Sequence, residues 1–221
     1  VQNPIAFRAR HRLITLNQLD RQNMHRCFPG NPGGDVSART CHAILDGIIG
    51  AVGADFVVDC HTGSTGSSYP PLVFVSTKGP QDVVDRSLAG ARAFGADLMV
   101  KAGGSAGVYA LDNMLHMVAV ERGTPAFGCE LGTALPAETK QVDRGARGLR
   151  NLMVHIGMIE GEIESADATV ELDEIVEVRA ERGGNCDYLV APGQPVSEGQ
   201  PIARIINLFG DVVEDVTSPI T

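Results

Sequence analysis

The sequence lacks the features that mark several broad classes of protein. No stretch approaches the ~18 apolar residues that a membrane-spanning helix needs. Lys and Arg number 18 against 27 Asp and Glu, and the net charge of −9 argues against nucleic acid or an anionic membrane as a partner. No repeat or low-complexity tract is present. With 221 residues, 43% hydrophobic and 20% charged, the composition predicts a soluble protein with one sizeable core and a smaller appendage.

Cysteine is scarce and follows no pairing pattern. The five cysteines are odd in number, widely spaced and without a Cys-x-x-Cys pair: Cys27, Cys41, Cys60, Cys129 and Cys186. This pattern argues against a disulfide framework and against a zinc site made of thiolates. Reduced thiols are typical of the cytoplasm, which is the location we predict. Because the chain starts at Val1 without an initiator Met or a signal-peptide pattern, we also expect a fragment of a longer protein.

Apolar periodicity predicts helices that alternate with strands. Helices are expected over residues 35–52, 82–94, about 110–122 and 142–158, and strands over 54–60, 71–76, 97–101 and 124–131. Such alternation predicts an α/β fold with a largely parallel sheet and flanking helices. After Gly161, short Val/Ile runs broken by Gly-Gly, Pro-Gly and Glu-Gly turns predict a small all-β domain. We place the boundary near Ser165, which gives domains of residues 1–164 and 165–221.

A histidine follows the strand predicted over residues 54–60. In "ADFVVDCHTG" the apolar run stops abruptly before small polar residues, so His61 lies at the end of a strand, where ligands bind in open α/β sheets. Asp59 points to the same side and could hold the imidazole in one tautomer. A single His at this position also fits contacts with solvent or backbone, and a metal site requires further ligands.

Other polar residues fall in loops or at the end of a strand. In "NMHRCFPG", residues 23–30, Arg26 could clamp a carboxylate through two hydrogen bonds or form a surface ion pair. Glu130 ends the run "TPAFGCEL", where burial would raise its pKa toward the range useful for proton transfer. It could also form a cap or a salt bridge. Arg8, Arg10, His11 and Arg12 form either an anion-attracting rim or a solvated loop.

The placement of His61, Glu130 and Arg26 suggests one site. All three lie at the ends of predicted strands or in loops. Zinc hydrolases combine three protein ligands, a carboxylate base and a cation that stabilises the developing oxyanion. These three residues supply one side chain of each type.

Four ordered motifs carry a resemblance to a known family. The segment after Asn3-Pro4, "NMHRCFPG", "VVDCHTG" and "TPAFGCELG" together resemble the succinylglutamate desuccinylase/aspartoacylase family, which is related to the zinc carboxypeptidases. The resemblance covers nearly the whole chain. It implies a zinc-carboxypeptidase-like α/β domain followed by a β-rich domain.

The resemblance also implies roles for individual residues. His61 corresponds to the third zinc ligand, Glu130 to the general base that activates water, and Arg26 to the residue that binds a substrate carboxylate. Arg12 corresponds to the arginine that polarises the scissile carbonyl, with Arg10 as the alternative.

Two features depart from the family pattern. The first is His25, which stands where the family has Asn, so that His25 and Asn23 are expected to make substrate contacts of their own. The second concerns the remaining zinc ligands, which the family takes from a His-x-x-Glu motif. None of the six histidines has a Glu three residues later. We therefore expect that motif to lie upstream of Val1.

The combined expectation is a zinc-dependent amidohydrolase, a deacylase acting on a small N-acyl amino acid or a related amide. The partner would be a small anionic substrate, and the resemblance allows a homo-oligomer. Two other functions fit the same residues. One is a zinc carboxypeptidase acting on peptides, and the other is a metal-free small-molecule binding protein that has lost activity.

Overall fold

The computed structural model describes residues 20, 22–63, 68–102, 113–133, 138–164 and 169–220, which form two compact units. The first unit extends to Glu174 and the second runs from Ile175. The helices are a 3-10 turn Met24–Arg26, α1 Val36–His42, a π-helix Ala43–Gly50, α2 Gln81–Phe94, α3 Leu115–Glu121 and α4 Thr139–His155. The strands are β1 Val57–His61, β2 Leu72–Ser76, β3 Leu98–Ala102, β4 Ala126–Glu130, β5 Val170–Leu172, β6 Asn185–Tyr188, β7 Pro201–Ile206 and β8 Val212–Thr217.

The first unit is built on a five-stranded sheet with the order β1-β4-β2-β3-β5. The pairs β1–β4, β2–β3 and β3–β5 are parallel, whereas β2–β4 is antiparallel. The predicted α/β class with a largely parallel sheet is therefore confirmed. Strand β5 lies past the predicted domain boundary near Ser165, yet it pairs with β3 in this sheet. The division into functional domains of residues 1–164 and 165–221 stays a prediction.

The helix predicted over residues 35–52 changes its hydrogen-bond spacing along its length. It starts as α1, where the Asp35 side chain accepts a hydrogen bond of 2.9 Å from the Ala38 N–H. It continues as the π-helix Ala43–Gly50. Apolar spacing marks which face of a helix is buried, but it does not resolve a local change in the hydrogen-bond ladder.

Each face of the sheet packs against its own apolar cluster. One cluster joins the loop after the 3-10 turn to α1, α3 and the starts of β1 and β4; it includes Met24, Phe28, Cys41, Leu45, Val57, Leu115, Val118, Val120 and Ala126. The other joins the opposite face to α2 and α4; it includes Val73, Val75, Ala91, Phe94, Met99, Phe127, Cys129 and Leu152. Strands β1 and β4 therefore lie between two packed layers, which fixes their carboxyl ends in place.

The second unit contains a three-stranded antiparallel sheet with the order β6-β7-β8. Its buried apolar residues are Ala203, Ile205 and Val216. Leu208 and Phe209, in the turn between β7 and β8, are each 91% exposed. Within the described ranges of the chain, no helix combines the length and the apolar character needed to cross a membrane.

Candidate metal and catalytic site

The parallel register of β1 and β4 brings two predicted site residues together. His61 and Glu130 are direct partners at the carboxyl ends of these strands. Asp59 is the partner of Gly128, one pleat earlier. Because side chains two residues apart along a strand point to the same face, Asp59, His61 and Glu130 share one face of the sheet.

Asp59 lies at the centre of a group of three imidazoles. Its Oδ1 is 3.0 Å from His61 Nε2, and its Oδ2 is 3.5 Å from the Nδ1 atoms of both His25 and His116. The residue is 2% exposed. Burial alone would raise the pKa of Asp59, but His116 and His61 outweigh burial and hold the pKa well below its ordinary value. The carboxylate is therefore ionised.

The motif "NMHRCFPG" folds into a short turn that presents His25 to this group. Asn23 caps the 3-10 turn, its side-chain oxygen accepting a hydrogen bond of 3.2 Å from the His25 N–H. Phe28 is fully buried. At Gly30, with φ of 84°, an added Cβ would lie 2.3 Å from the backbone nitrogen of His42, so only glycine allows this close approach of the loop to the helical segment. The motif is therefore anchored at both ends.

The two histidines nearest the sheet end have opposite protonation tendencies. The rings of His25 and His61 lie 4.2 Å apart between centroids. Burial, with His61 nearby, lowers the pKa of His25 to about 3. Burial would also lower the pKa of His61, but Asp59 and then Glu130 outweigh it and raise that pKa. Of these two rings, His61 is therefore the one whose protonated form the neighbouring carboxylates favour.

Glu130 is a buried carboxylate beside this group. Its Oε2 is buried and has no hydrogen-bond partner among the residues that the structure describes. Burial raises the pKa of Glu130, and Asp59 adds to the rise, while His61 and Arg26 oppose it. A buried carboxyl group with a raised pKa can exchange protons with a bound molecule more readily than an ordinary glutamate.

The donor atoms at this site fit a metal ion. His25, Asp59 and His61 can each direct one ligand atom to a common point, these atoms lying within 4.8 Å of one another. Two imidazole nitrogens and a carboxylate oxygen form a donor set that zinc accepts. Because His61 Nε2 faces Asp59, its Nδ1 is the ring nitrogen left for a metal.

The structure brings together most, but not all, of the residues predicted for the site. His61, Glu130 and His25 are neighbours, and the positive charge of Arg26 is close enough to lower the pKa of Glu130. Asn23 lies in the same turn, where its side chain caps the backbone. The two other arginines proposed for catalysis, Arg12 and its alternative Arg10, lie outside the described residues.

One residue of the cluster escaped sequence reasoning. His116 lies on α3 and is 1% exposed, and it reaches Asp59 from behind the site. The sequence held one indirect sign, since Gly128 interrupts an apolar strand and a strand glycine often marks a close approach by another group. Nothing in the pattern identified His116 as the group that approaches.

Comparison with known proteins supports a specific relationship. The model of the succinylglutamate desuccinylase/aspartoacylase catalytic domain matches residues 1–156. The chain is 30% identical over 196 residues to the N-alpha-acetyl-L-2,4-diaminobutyric acid deacetylase of Halomonas elongata. This match covers 86% of the chain and 55% of the relative, so the chain spans about half the length of that protein.

Solved structures give the same relationship. A succinylglutamate desuccinylase/aspartoacylase from Rhodobacter sphaeroides superposes with a TM-score of 0.84 at 25% identity, covering 100% of the chain and 66% of that structure. The product-bound ectoine utilization protein EutE (DoeB) from Ruegeria pomeroyi gives the same values: TM-score 0.84, 25% identity, and coverage of 100% and 66%. The fold, the motifs and the family model agree: the chain belongs to the succinylglutamate desuccinylase/aspartoacylase family.

Proposed function

We propose that the protein is a zinc-dependent deacylase that hydrolyses the amide bond of a small N-acyl amino acid. The observation that supports this most directly is the pairing of His61 with Glu130 at the ends of β1 and β4, with Asp59 behind His61. A metal ligand, its orienting carboxylate and a base thus lie within one small region of residues 1–164, the proposed catalytic domain. Relatives that act on small N-acyl amino acids support the substrate class.

In this proposal His61 would hold zinc through Nδ1, with Asp59 next to its other ring nitrogen. A carboxylate already surrounded by three imidazoles suits that orienting role better than direct ligation. The other two ligands are proposed to come from a His-x-x-Glu motif upstream of Val1. When bound, zinc supplies Lewis-acid activation of water and of the scissile carbonyl.

Glu130 is the proposed general base. Its Oε2 takes a proton from the attacking water and then delivers it to the leaving amine. The buried oxygen, which has no partner among the described residues, and the raised pKa both support this role, because a base that returns its proton must hold it with moderate strength. One carboxyl group can therefore serve both proton transfers, from the water and to the leaving amine.

Arg26, His25 and Asn23 are proposed to bind the substrate. A guanidinium close to Glu130 can hold a substrate carboxylate through two hydrogen bonds and so orient the scissile bond. His25 is neutral beside His61, so it can donate or accept a hydrogen bond without repelling a cationic amine. Arg12, or Arg10 in its place, is proposed to stabilise the oxyanion.

The proposal is tested by measuring zinc content and deacetylation of Nα-acetyl-2,4-diaminobutyrate together. The protein is produced from its complete reading frame, with His61→Ala as the test variant and His155→Ala, an exposed histidine of α4, as the matched control. We expect one zinc per chain and acetate release in the wild type and the control, and loss of both in His61→Ala.

Each contrary outcome points to a different function. Release of a carboxyl-terminal residue from peptides, with no deacetylation, would favour a carboxypeptidase. Zinc absent from wild type and variant alike would contradict the deacylase and favour a metal-free binding protein.

A further inference from the structure

The surroundings of His116 suit an orienting role better than a packing role. Its Nδ1 lies 3.5 Å from Asp59 Oδ2. Its ring centroid is 6.1 Å from that of His25, on the same side of the carboxylate. Within the parts of the chain that the structure describes, both of its ring nitrogens are buried and neither has a hydrogen-bond partner, so Nδ1 meets Asp59 by proximity and charge. Burying a ring with two polar nitrogens is costly, so a purely apolar side chain would pack here at lower cost.

Gly128 provides the space that the His116 ring occupies. A Cβ added at Gly128 would lie 2.5 Å from His116 Cε1 and 2.7 Å from its Nδ1. These distances are far shorter than van der Waals contact, so the ring rests directly on the bare backbone of β4. Gly128 is also the register partner of Asp59. The glycine therefore lets His116 reach across one strand to the carboxylate on the next.

The two carboxylate oxygens of Asp59 contact different imidazoles. Oδ2 faces His25 and His116, and Oδ1 faces His61. His25 belongs to a loop and is partly exposed, whereas His116 belongs to a helix packed on β1 and β4 and is fully buried. Of the two imidazoles on Oδ2, His116 is thus the one held rigidly enough to set the orientation of the carboxylate.

We propose that His116 is a positioning residue that, seated on Gly128, fixes the Asp59 carboxylate and thereby the orientation of His61 toward the metal. The inference rests on the proposed function, because it assumes that His61 binds zinc. Neither His61 Nε2, 3.0 Å from Asp59 Oδ1, nor His116 Nδ1, 3.5 Å from Oδ2, has hydrogen-bond geometry, so packing and charge attraction hold the carboxylate between these rings. A small rotation of the carboxylate would change both contacts, so the position of the His116 ring, set by its close packing on Gly128, affects His61 as well.

The experiment compares variants that remove the contact in different ways. His116→Phe keeps a flat ring without nitrogens, whereas His116→Asn keeps an amide nitrogen close to the position of Nδ1. Gly128→Ala removes no functional group, but its Cβ displaces the His116 ring. The controls are His155→Asn, at an exposed histidine, and Gly47→Ala, where an added Cβ meets nothing within 4 Å.

Zinc affinity is measured by chelator competition on the protein from the complete reading frame, and the visible spectrum of the Co²⁺ form reports the ligand geometry. Thermal unfolding of the metal-free variants shows that each is folded. We expect His116→Phe and Gly128→Ala to bind zinc about tenfold more weakly, with shifted Co²⁺ bands, since partners behind a ligand commonly change metal affinity by about 10–100-fold. His116→Asn should recover most of the affinity, and both controls should match the wild type.

Three results would overturn the inference. Wild-type affinity in a folded His116→Phe variant would show that His116 only fills space. Equal losses in His116→Asn and His116→Phe would show that a nitrogen near the position of Nδ1 does not restore zinc affinity. If His61→Ala left zinc content unchanged, the proposed function itself would be wrong and the inference would fall with it. Zinc loss in His61→Ala beside normal binding in His116→Phe would instead contradict the positioning role alone.

Discussion

The two faces of the β1–β4 pair differ in chemistry although neighbouring residues of the same strands form them. One face carries Asp59, His61 and Glu130, and the small Gly128 makes room for another polar ring there. The opposite face carries apolar side chains such as Phe127, which packs edge-on against Phe56 and Phe94 at centroid distances of 5.7 and 5.3 Å. Alternation with a period of two residues separates the two environments at the carboxyl ends of the strands, although Val57 and Ala126, at the strand starts, lie on the same face as the polar residues and are apolar.

The difference shows that the strand pair has two separable tasks. The apolar face stabilises the fold through close packing, because buried rings remove large areas from water. The polar face keeps ionisable groups buried, which costs folding free energy unless they pair with one another. Substitutions on the polar face should therefore change chemistry more than stability, and substitutions on the apolar face should do the reverse.

Glu130→Gln is the largest expected effect on the polar face. The amide keeps the shape of the side chain but cannot accept the proton of water, so kcat should fall by about 10²–10⁴-fold. Zinc content and the thermal midpoint should stay close to wild type. Steady-state kinetics and elemental analysis check this, with Glu121→Gln, at an exposed glutamate of α3, as the control. Full activity in Glu130→Gln would remove Glu130 from the mechanism.

The same residue predicts the direction of a pH dependence. The base must be ionised to act, and burial raises the pKa of Glu130 above the ordinary 4.5. Activity should therefore be lost on acidification at a pH higher than 4.5, and the acidic limb of kcat against pH should report this loss. A limb centred at or below the ordinary glutamate value would show that burial does not govern the group.

Phe127→Ala is the corresponding test of the apolar face. Phe127 is fully buried, and truncation of such a ring destabilises proteins by about 3–5 kcal/mol. Urea unfolding followed by circular dichroism should show this loss, while the folded fraction should bind zinc with unchanged affinity. Phe209→Ala is the matched control, because Phe209 is 91% exposed and its truncation should barely change the free energy of unfolding. A stable Phe127→Ala variant with impaired zinc binding would reverse the assignment of the two faces.

Sequence reasoning recovered the polar face in part because it follows local rules. Strand β1 ends at His61 and β4 at Glu130, which apolar runs followed by small residues indicated. The parallel sheet then placed their ends side by side. His116 could not be found in this way, because its contact with Asp59 depends on how α3 packs across β4. The antiparallel β2–β4 pair likewise depends on chain topology, which hydrophobic periodicity does not encode.

Ser87→Ala tests a polar contact where helix α2 meets strand β4. The buried Ser87 hydroxyl donates to Val83 O at 2.7 Å and accepts from the Ala126 N–H at 3.0 Å. Removing it leaves a buried N–H without its partner, which should cost about 1–3 kcal/mol. Urea unfolding measures the loss, with the exposed Ser197→Ala as control. An unchanged free energy of unfolding would mean that another group satisfies Ala126.

The smallest expected effect concerns two thiols on the apolar face. It changes only the rate at which they react. Cys60 and Cys129 are register partners, but Cys60 is exposed whereas Cys129 is 1% exposed. The Cys129 thiol donates to Cys60 and lowers the pKa of Cys60 to about 7, outweighing partial desolvation of the Cys60 sulfur. The same contact, together with burial, raises the pKa of Cys129. Iodoacetamide should therefore modify Cys60 and spare Cys129.

The modification rate of Cys60 should rise about tenfold per pH unit on the acidic side of its pKa and level off above it, because the thiolate is the reacting species. Peptide mass spectrometry in a Cys186→Ser background, which removes another exposed thiol, measures this rate. In Cys129→Ala the profile should move to higher pH, since the donor to the thiolate is gone. An unchanged profile would mean that the charge of the neighbouring His61, on the polar face, sets the reactivity of Cys60. The two faces would then be less separate than their packing indicates.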